Sequence, residues 1–266
     1  MEVTGSPVKQ TAIELGLTVL QPVKARDPEF RDQIERIAPD VATVVAYGKI
    51  LPVDLLAVPP LGFVNVHFSV LPEYRGAAPV QRAIIDGHSR SGVSIMVLTE
   101  GMDEGPVLAL EEVAIDPSDT AGSLGTRLAT VGADLLPRTL RAYGSGSATG
   151  TEQEHSQATY APKITNEESR IDWSQPGEVV RNLVRGLNPA PGAWSQLTGK
   201  RLKVFRVEAE ATADLTPGAI TAGRTLLVGT GDGPVALEEV QLEGKRRMSG
   251  AELARGLRIE PGTRLE

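Results

Sequence analysis

Asn65 and His67 stand two residues apart in the run Phe63-Val64-Asn65-Val66-His67, and Asp103 follows some thirty-six positions later between two glycines, in Gly101-Met102-Asp103-Glu104-Gly105. Apolar and polar side chains alternate through the run as they do along a strand, so Asn65 and His67 share a face. An amide and an imidazole side by side at a strand's end suit a carbonyl group under attack: donors stabilise the oxyanion and the imidazole moves a proton. A carboxylate brought in on a glycine-flanked loop could orient and charge-match the imidazole. Taken alone, the trio leaves a second reading open, because a histidine at a strand end is often only a hydrogen-bonded structural residue. The chain holds no cysteine and only three scattered histidines, His67, His88 and His155, so no metal site is expected.

The letters around the trio continue as Asn65-x-His67-x-Ser69-x-Leu71-Pro72-x-x-Arg75-Gly76-Ala77-Ala78-Pro79-x-Gln81. This run closely resembles the signature of the folate-dependent formyltransferases. Further landmarks follow in the family's order: Val44-Val45-Ala46-Tyr47-Gly48-Lys49-Ile50-Leu51-Pro52, Arg170-Ile171-Asp172-Trp173, Asn188-Pro189-Ala190-Pro191-Gly192-Ala193-Trp194 and the tail Pro261-Gly262-Thr263-Arg264-Leu265. The resemblance therefore spans nearly the whole chain, and Arg75-Gly76-Ala77-Ala78-Pro79-Val80-Gln81 favours the tRNA-directed branch over the sugar-nucleotide branch.

The resemblance implies transfer of a formyl group from 10-formyltetrahydrofolate to the α-amine of methionine on initiator tRNA, for translation initiation. Asn65, His67 and Asp103 would be catalytic, with Asp103 bonding His67 and fixing its tautomer. The folate would lie along Ser69, Val70, Leu71 and Pro72, with the backbone near Lys49, Ile50 and Leu51 reading the pterin. Arg75 and Gly76 would shape the loop that receives the methionyl end. Packing is the other reading of Leu51 and Leu71, ion pairing that of Arg75, and backbone freedom that of Gly76.

The chain departs from the family pattern in three places. Val70 stands where a second leucine is common, and Glu104 where threonine commonly follows the aspartate; Glu104 is expected to turn outward into solvent. At the front, Ser6-Pro7 starts a helix where a doubly wound domain starts with a strand. Family members begin with about forty more residues, holding a strand, a helix, a second strand and a basic loop thought to grip the tRNA acceptor stem; the chain is expected to lack these. Two alternatives follow: a formyltransferase for an amino-sugar nucleotide, or an inactive truncated fragment that binds tRNA.

Composition narrows the class. The 266 residues are enough for two modest cores, and no apolar run approaches the length needed to cross a bilayer. A cytoplasmic protein, a monomer without membrane contact, is expected. The net charge of -7 argues against a nucleic-acid partner until its distribution is considered. Residues 1–160 hold 12 basic and 20 acidic side chains, whereas residues 161–266 hold 15 and 14. The C-terminal part is thus the candidate tRNA face, through Lys200, Arg201 and Lys203 and through Lys245, Arg246 and Arg247.

The elements expected to position these residues form an α/β pattern. Helical spacing of Phe30, Ile34 and Ile37 precedes a buried strand over 40–46, and strands follow at 63–67, 93–98 and 106–115. Helices are expected over 79–86, 121–143 and 176–186. Both catalytic candidates would then sit at the carboxyl ends of neighbouring strands. Short strands separated by Gly- and Pro-containing turns after 200 suggest a small barrel. With the resemblance added, the whole reads as a Rossmann-like doubly wound catalytic domain over 1–144, lacking its first strands, a linker over 145–162 and a small OB-fold-like β-barrel over 163–266.

Overall fold

The computed structural model of the chain describes residues 5–209, 214–223, 225–257 and 262–266; Pro261, at the head of the tail motif, lies outside them. Helix α1 (Pro7–Glu14) opens as its sequence dictates, with the Ser6 hydroxyl accepting from the Lys9 N–H and Pro7 in the first turn. Helix α2 (Pro28–Ile37) is capped by Asp27 in the same way. Neither helix buries a residue, and Val8, Ile13 and Leu15 are 80%, 59% and 69% exposed.

The strand expected over 40–46 is shorter than its sequence suggests and is not buried. Strand β1 (Ala42–Val44) is three residues long and lies at the edge of the first sheet, and the chain turns soon after it at Ala46, which is left-handed with φ 49°. Local stability comes from buried apolar contacts, and residues 5–50 have few. Hydrogen exchange is therefore expected to deuterate α1, α2 and β1 at least tenfold faster than β2 (Phe63–His67), the next strand of the sheet. Equal protection across the four elements would refute this.

Two longer strands, β4 (Arg90–Val97) and β5 (Val107–Ala114), form a hairpin that completes the first sheet in the order β1-β2-β4-β5. The connections hold α3 (Val53–Leu56), β3 (Arg75–Gly76) and α4 (Pro79–Ile85). Within this sheet only β1 and β2 are parallel; β4 runs antiparallel to β2, with Val64 opposite Val97 and His67 opposite Ser94. The alternation in β2 divides its side chains between the two faces. Val64 and Val66 join Val93, Ile95, Leu124 and Leu128 in the core beneath α5 (Ala121–Gly144). Each such side chain contributes about 1.5–3 kcal/mol on burial. Gly132 allows the close approach of α5, since a Cβ there would meet Val66 at 3.0 Å.

The segment after α5 is tied to this sheet. Thr151 and Val107 exchange backbone hydrogen bonds of 2.8 and 2.9 Å, and β6 (Tyr160–Ala161) pairs with β3. Beyond it, α6 (Gly177–Gly186) packs on α4, with Gly186 against Ile85. Six antiparallel strands follow: β7 (Ala193–Leu197), β8 (Lys200–Ala209), β9 (Ile220–Ala222), β10 (Leu226–Gly229), β11 (Pro234–Leu242) and β12 (Met248–Ser249), and then α7 (Gly250–Gly256). Their order is β7-β8-β11-β10-β9, with β12 on β11. The tail joins the two edges: Leu265 bridges Leu197 at the end of β7, and Arg264 bridges Ala219 beside β9. The curled sheet encloses a second core that includes Leu202, Val204, Leu226 and Leu237, in keeping with the barrel expected from the short strands.

Candidate active site

Asn65 and His67 project from the face of β2 opposite the core, at the strand's carboxyl end. His67 is 5% exposed. Its Nε2 lies 2.9 Å from the Tyr74 carbonyl oxygen. A carbonyl only accepts, so Nε2 carries the proton and Nδ1 is the nitrogen left for chemistry. The main chain of Tyr74 therefore sets the tautomer, a task that the resemblance assigns to Asp103. Tyr74 is itself fixed: its phenol donates to Asp86 Oδ2 at 2.7 Å and its ring meets the edge of His88 at 5.4 Å. Burial first, and then the bond to Asp86, push the phenol above the usual tyrosine range.

Asp103 reaches the site by a different route from the one its sequence position suggests. Because β4 is antiparallel to β2, its carboxyl end lies beside Val64, not beside His67. The loop after Val97 turns back along the sheet and places Asp103 Oδ2 3.6 Å from His67 Nδ1. The same oxygen accepts the Gly76 N–H at 2.8 Å. Asp103 has φ 51°, a left-handed conformation that costs a non-glycine residue about 1 kcal/mol or more. The side-chain amide of Asn65 makes no hydrogen bond among the described residues and is half-buried beside these groups. An unengaged amide, a histidine with one free nitrogen and an adjacent carboxylate are thus collected on one face.

The sequence matches the family described as "Formyl transferase" over residues 3–140, and "Formyl transferase, C-terminal domain" over residues 163–258. It is 46% identical over 262 residues to the methionyl-tRNA formyltransferase of Streptomyces coelicolor, covering 98% of this chain and 84% of that protein. The enzyme of the same name from Geobacter sulfurreducens is 43% identical over 261 residues, covering 97% of this chain and 82% of its own. The chain belongs to the methionyl-tRNA formyltransferase family. Among solved structures, HypX from Aquifex aeolicus in complex with tetrahydrofolic acid superposes with a TM-score of 0.67 at 20% identity, over 86% of this chain and 41% of that one. The sugar 3N-formyl transferase WlaRD gives 0.66 at 15% identity, over 90% of this chain and 82% of that one. At those identities the two structures show a shared fold.

Of the residues that the methionyl-tRNA formyltransferase signature offers for folate, two are enclosed. Ser69 is 1% exposed and donates its hydroxyl to the Glu73 carbonyl at 2.6 Å; Leu71 is 6% exposed, its N–H held by the Ser94 hydroxyl. These side chains build the turn. Val70 and Pro72, between and after them, stay half-exposed. The loop carrying Lys49, Ile50 and Leu51 leaves β1 where Val44 pairs with Asn65, so it departs from the same edge as the site. Ile50 is 89% exposed, and the Lys49 ammonium donates to the Val23 carbonyl at 2.6 Å.

Arg75 departs from the ion-pair reading. It is 2% exposed and turned inward, donating from Nε and Nη2 to Gln153 Oε1 at 3.1 and 2.8 Å and from Nη1 to His155 Nδ1 at 3.3 Å. Its side chain serves the interior of the loop, and it has no carboxylate partner among the described residues. Gly76 does need its freedom: its φ is 122°, and a Cβ would lie 2.8 Å from the Ala161 carbonyl. Glu104 is half-buried with its carboxylate laid over Gly101, not turned out into solvent.

The two basic clusters of the C-terminal half meet. Lys203 pairs with Gln241 and the Glu243 N–H bonds the Arg201 carbonyl, so the start of β8 and the turn after β11 form one surface. The Arg201 guanidinium lies 4.0 Å over the Trp194 ring and that of Arg247 3.5 Å over Phe205. Arg246 and Arg247 also face Glu252 at 3.1 Å and Glu239 at 3.7 Å, whereas Lys203 is bonded to the Pro191 carbonyl. Lys200 and Lys245 are exposed and, among the described residues, make no side-chain contact with an acid.

Proposed function

We propose that this chain transfers the formyl group of 10-formyltetrahydrofolate to the α-amine of methionine on initiator tRNA. The observation that carries the reading is the Asn65–His67–Asp103 arrangement, with the Asn65 amide unengaged and His67 Nδ1 open toward Asp103, in a chain of the methionyl-tRNA formyltransferase family. The residues suit a folate co-substrate: Asn65 offers a donor for the formyl oxygen, and Val70, Pro72 and the loop at 45–51 offer partly open apolar and backbone groups at the same edge.

In the reaction a bond forms between the amine nitrogen and the formyl carbon, and the bond from that carbon to the folate nitrogen breaks. Asn65 would donate to the oxygen as it gains charge, in the manner of an oxyanion hole. His67 would donate from Nδ1 once protonated there, and Asp103 would support the imidazolium and carry a proton from the amine toward the folate nitrogen. No metal takes part in this scheme; among the described residues no cluster of His, Asp and Glu is arranged to hold one. Nor is any described helix long and apolar enough to cross a membrane.

The test is formyl transfer by the purified chain from labelled 10-formyltetrahydrofolate to initiator methionyl-tRNA, beside an amino-sugar nucleotide as a competing acceptor. Label in methionyl-tRNA alone is the expected result. Transfer only to the sugar amine would replace the reading, and transfer to neither would remove it.

A further inference from the structure

The segment between the two cores contributes a buried group that the scheme above does not use. Gln153 is 7% exposed and lies two residues beyond Thr151, which is pinned to the first residue of β5. Its side-chain amide has all its hydrogen-bonding capacity engaged. Oε1 accepts two N–H groups of Arg75, and Nε2 donates to the Asp103 carbonyl at 2.9 Å and to the Gly105 carbonyl at 2.7 Å. The orientation of the amide is unambiguous, because arginine only donates and the two carbonyls only accept.

These contacts form a closed ring around the carboxylate. Gln153 holds the backbone of Asp103; the carboxylate of Asp103 holds the Gly76 N–H; Gly76 follows Arg75 in the chain; and Arg75 holds Gln153. Asp103 needs such support, since φ 51° is a conformation that side-chain-bearing residues adopt rarely and keep only where their surroundings impose it. Two carbonyls of one short loop, at 103 and 105, are gathered onto one amide group, and this fixes the turn from which the carboxylate points at His67.

We infer that Gln153 is a positioning residue of the formyl-transfer site, whose amide clamps the 103–105 turn and thereby sets the distance from Asp103 to His67. The inference rests on the function proposed above for what the site does, while the clamp itself is a property of the fold. Gln153→Glu separates the two halves of the amide's work. A carboxylate still accepts from Arg75, but it presents an acceptor where two carbonyls need a donor. If Gln153 served only to satisfy Arg75, the variant would match the parent.

The expected result for Gln153→Glu is a fall in kcat of about a hundredfold, the scale on which a displacement of about 1 Å acts, with KM for both substrates within about twofold. Added to Asp103→Asn it should cost little more, because both changes act through one carboxylate; additive losses would overturn the inference. Gln153→Asn keeps both groups on a shorter stem and should fall in between. A readout independent of catalysis is hydrogen exchange at the Gly76 N–H, which Asp103 Oδ2 accepts. It should speed up about tenfold or more in Gln153→Glu and to a lesser degree in Gln153→Asn. Unchanged exchange, or parental kcat in Gln153→Glu, would overturn the clamp. A parent chain that formylates no methionyl-tRNA would count against the proposed function alone, and the exchange rates would still decide the clamp.

Discussion

Asp103→Asn is expected to lower kcat for formyl transfer by about three powers of ten, and His67→Ala by about two to four, the range for general acid–base and oxyanion groups. The asparagine retains an oxygen for the Gly76 N–H, so the loop should stay in place. What changes is the charge on the oxygen 3.6 Å from His67 Nδ1, since that is the same oxygen that accepts the Gly76 N–H. The Nε2 proton is committed to the Tyr74 carbonyl, so Nδ1 accepts when the ring is neutral. A neutral amide oxygen there gives the positive charge that develops on the imidazole during the reaction far less support than a carboxylate does. The separation of 3.6 Å exceeds a hydrogen bond in the free protein, and contacts of this kind commonly shorten once substrates are in place.

His67→Ala removes the imidazole and leaves the buried Tyr74 carbonyl without its partner, which adds a destabilisation of about 1–3 kcal/mol to the fall in rate. The two effects are separated by single-turnover rates at saturating substrate together with thermal melts. Since the pair acts as a unit, the double variant should be no slower than about the worse single one. An Asp103→Asn protein within tenfold of the parent rate would remove Asp103 from the chemistry.

The strand alternation around Asn65 makes the site's first face legible in the sequence, because period-two patterning fixes which side chains share a face whatever the neighbouring strands do. The helix caps at Ser6 and Asp27 are legible for a similar reason: the capping group and its target lie within a few residues. The direction of β4 is not, since a strand's sequence does not state which way its partner runs, and the path of the Asp103 loop follows from that direction. Tyr74 and Gln153 escape a sequence reading for different reasons. The working atom of Tyr74 is a main-chain carbonyl, which every residue carries. Gln153 lies in an aperiodic polar stretch that reads as a linker, and only the fold shows that its amide is buried. The ion-pair reading of Arg75 follows from arginine's usual search for a carboxylate; here a neutral glutamine and a histidine take that place. Strand β7 is hidden within a proline-rich landmark whose helix- and strand-breaking residues end just before it.

Replacing Lys200, Lys203, Lys245 and Arg246 together with alanine is expected to raise KM for methionyl-tRNA about a hundredfold and to leave the single-turnover rate at saturating tRNA within about twofold. The reasoning starts from charge. A chain of net charge -7 cannot attract a polyanion through its overall field, so any affinity must come from a local concentration of cations. The pairing of β8 with β11 supplies one by bringing two clusters, one at 200–203 and the other at 245–247, onto a common surface. Within it Arg201 and Arg247 are committed to Trp194 and Phe205, where they cover aromatic rings, so the four chosen residues change charge with less disturbance of packing. Neutralising phosphates releases counterions, which makes the salt dependence the sharper measure: the slope of log affinity against log salt should become shallower by about one for each cation–phosphate pair removed. A higher KM with an unchanged slope would mean that the surface acts through shape instead of charge. An unchanged KM would place the RNA elsewhere on the protein, and the acidic half would then need its own explanation for how a polyanion approaches Asp103.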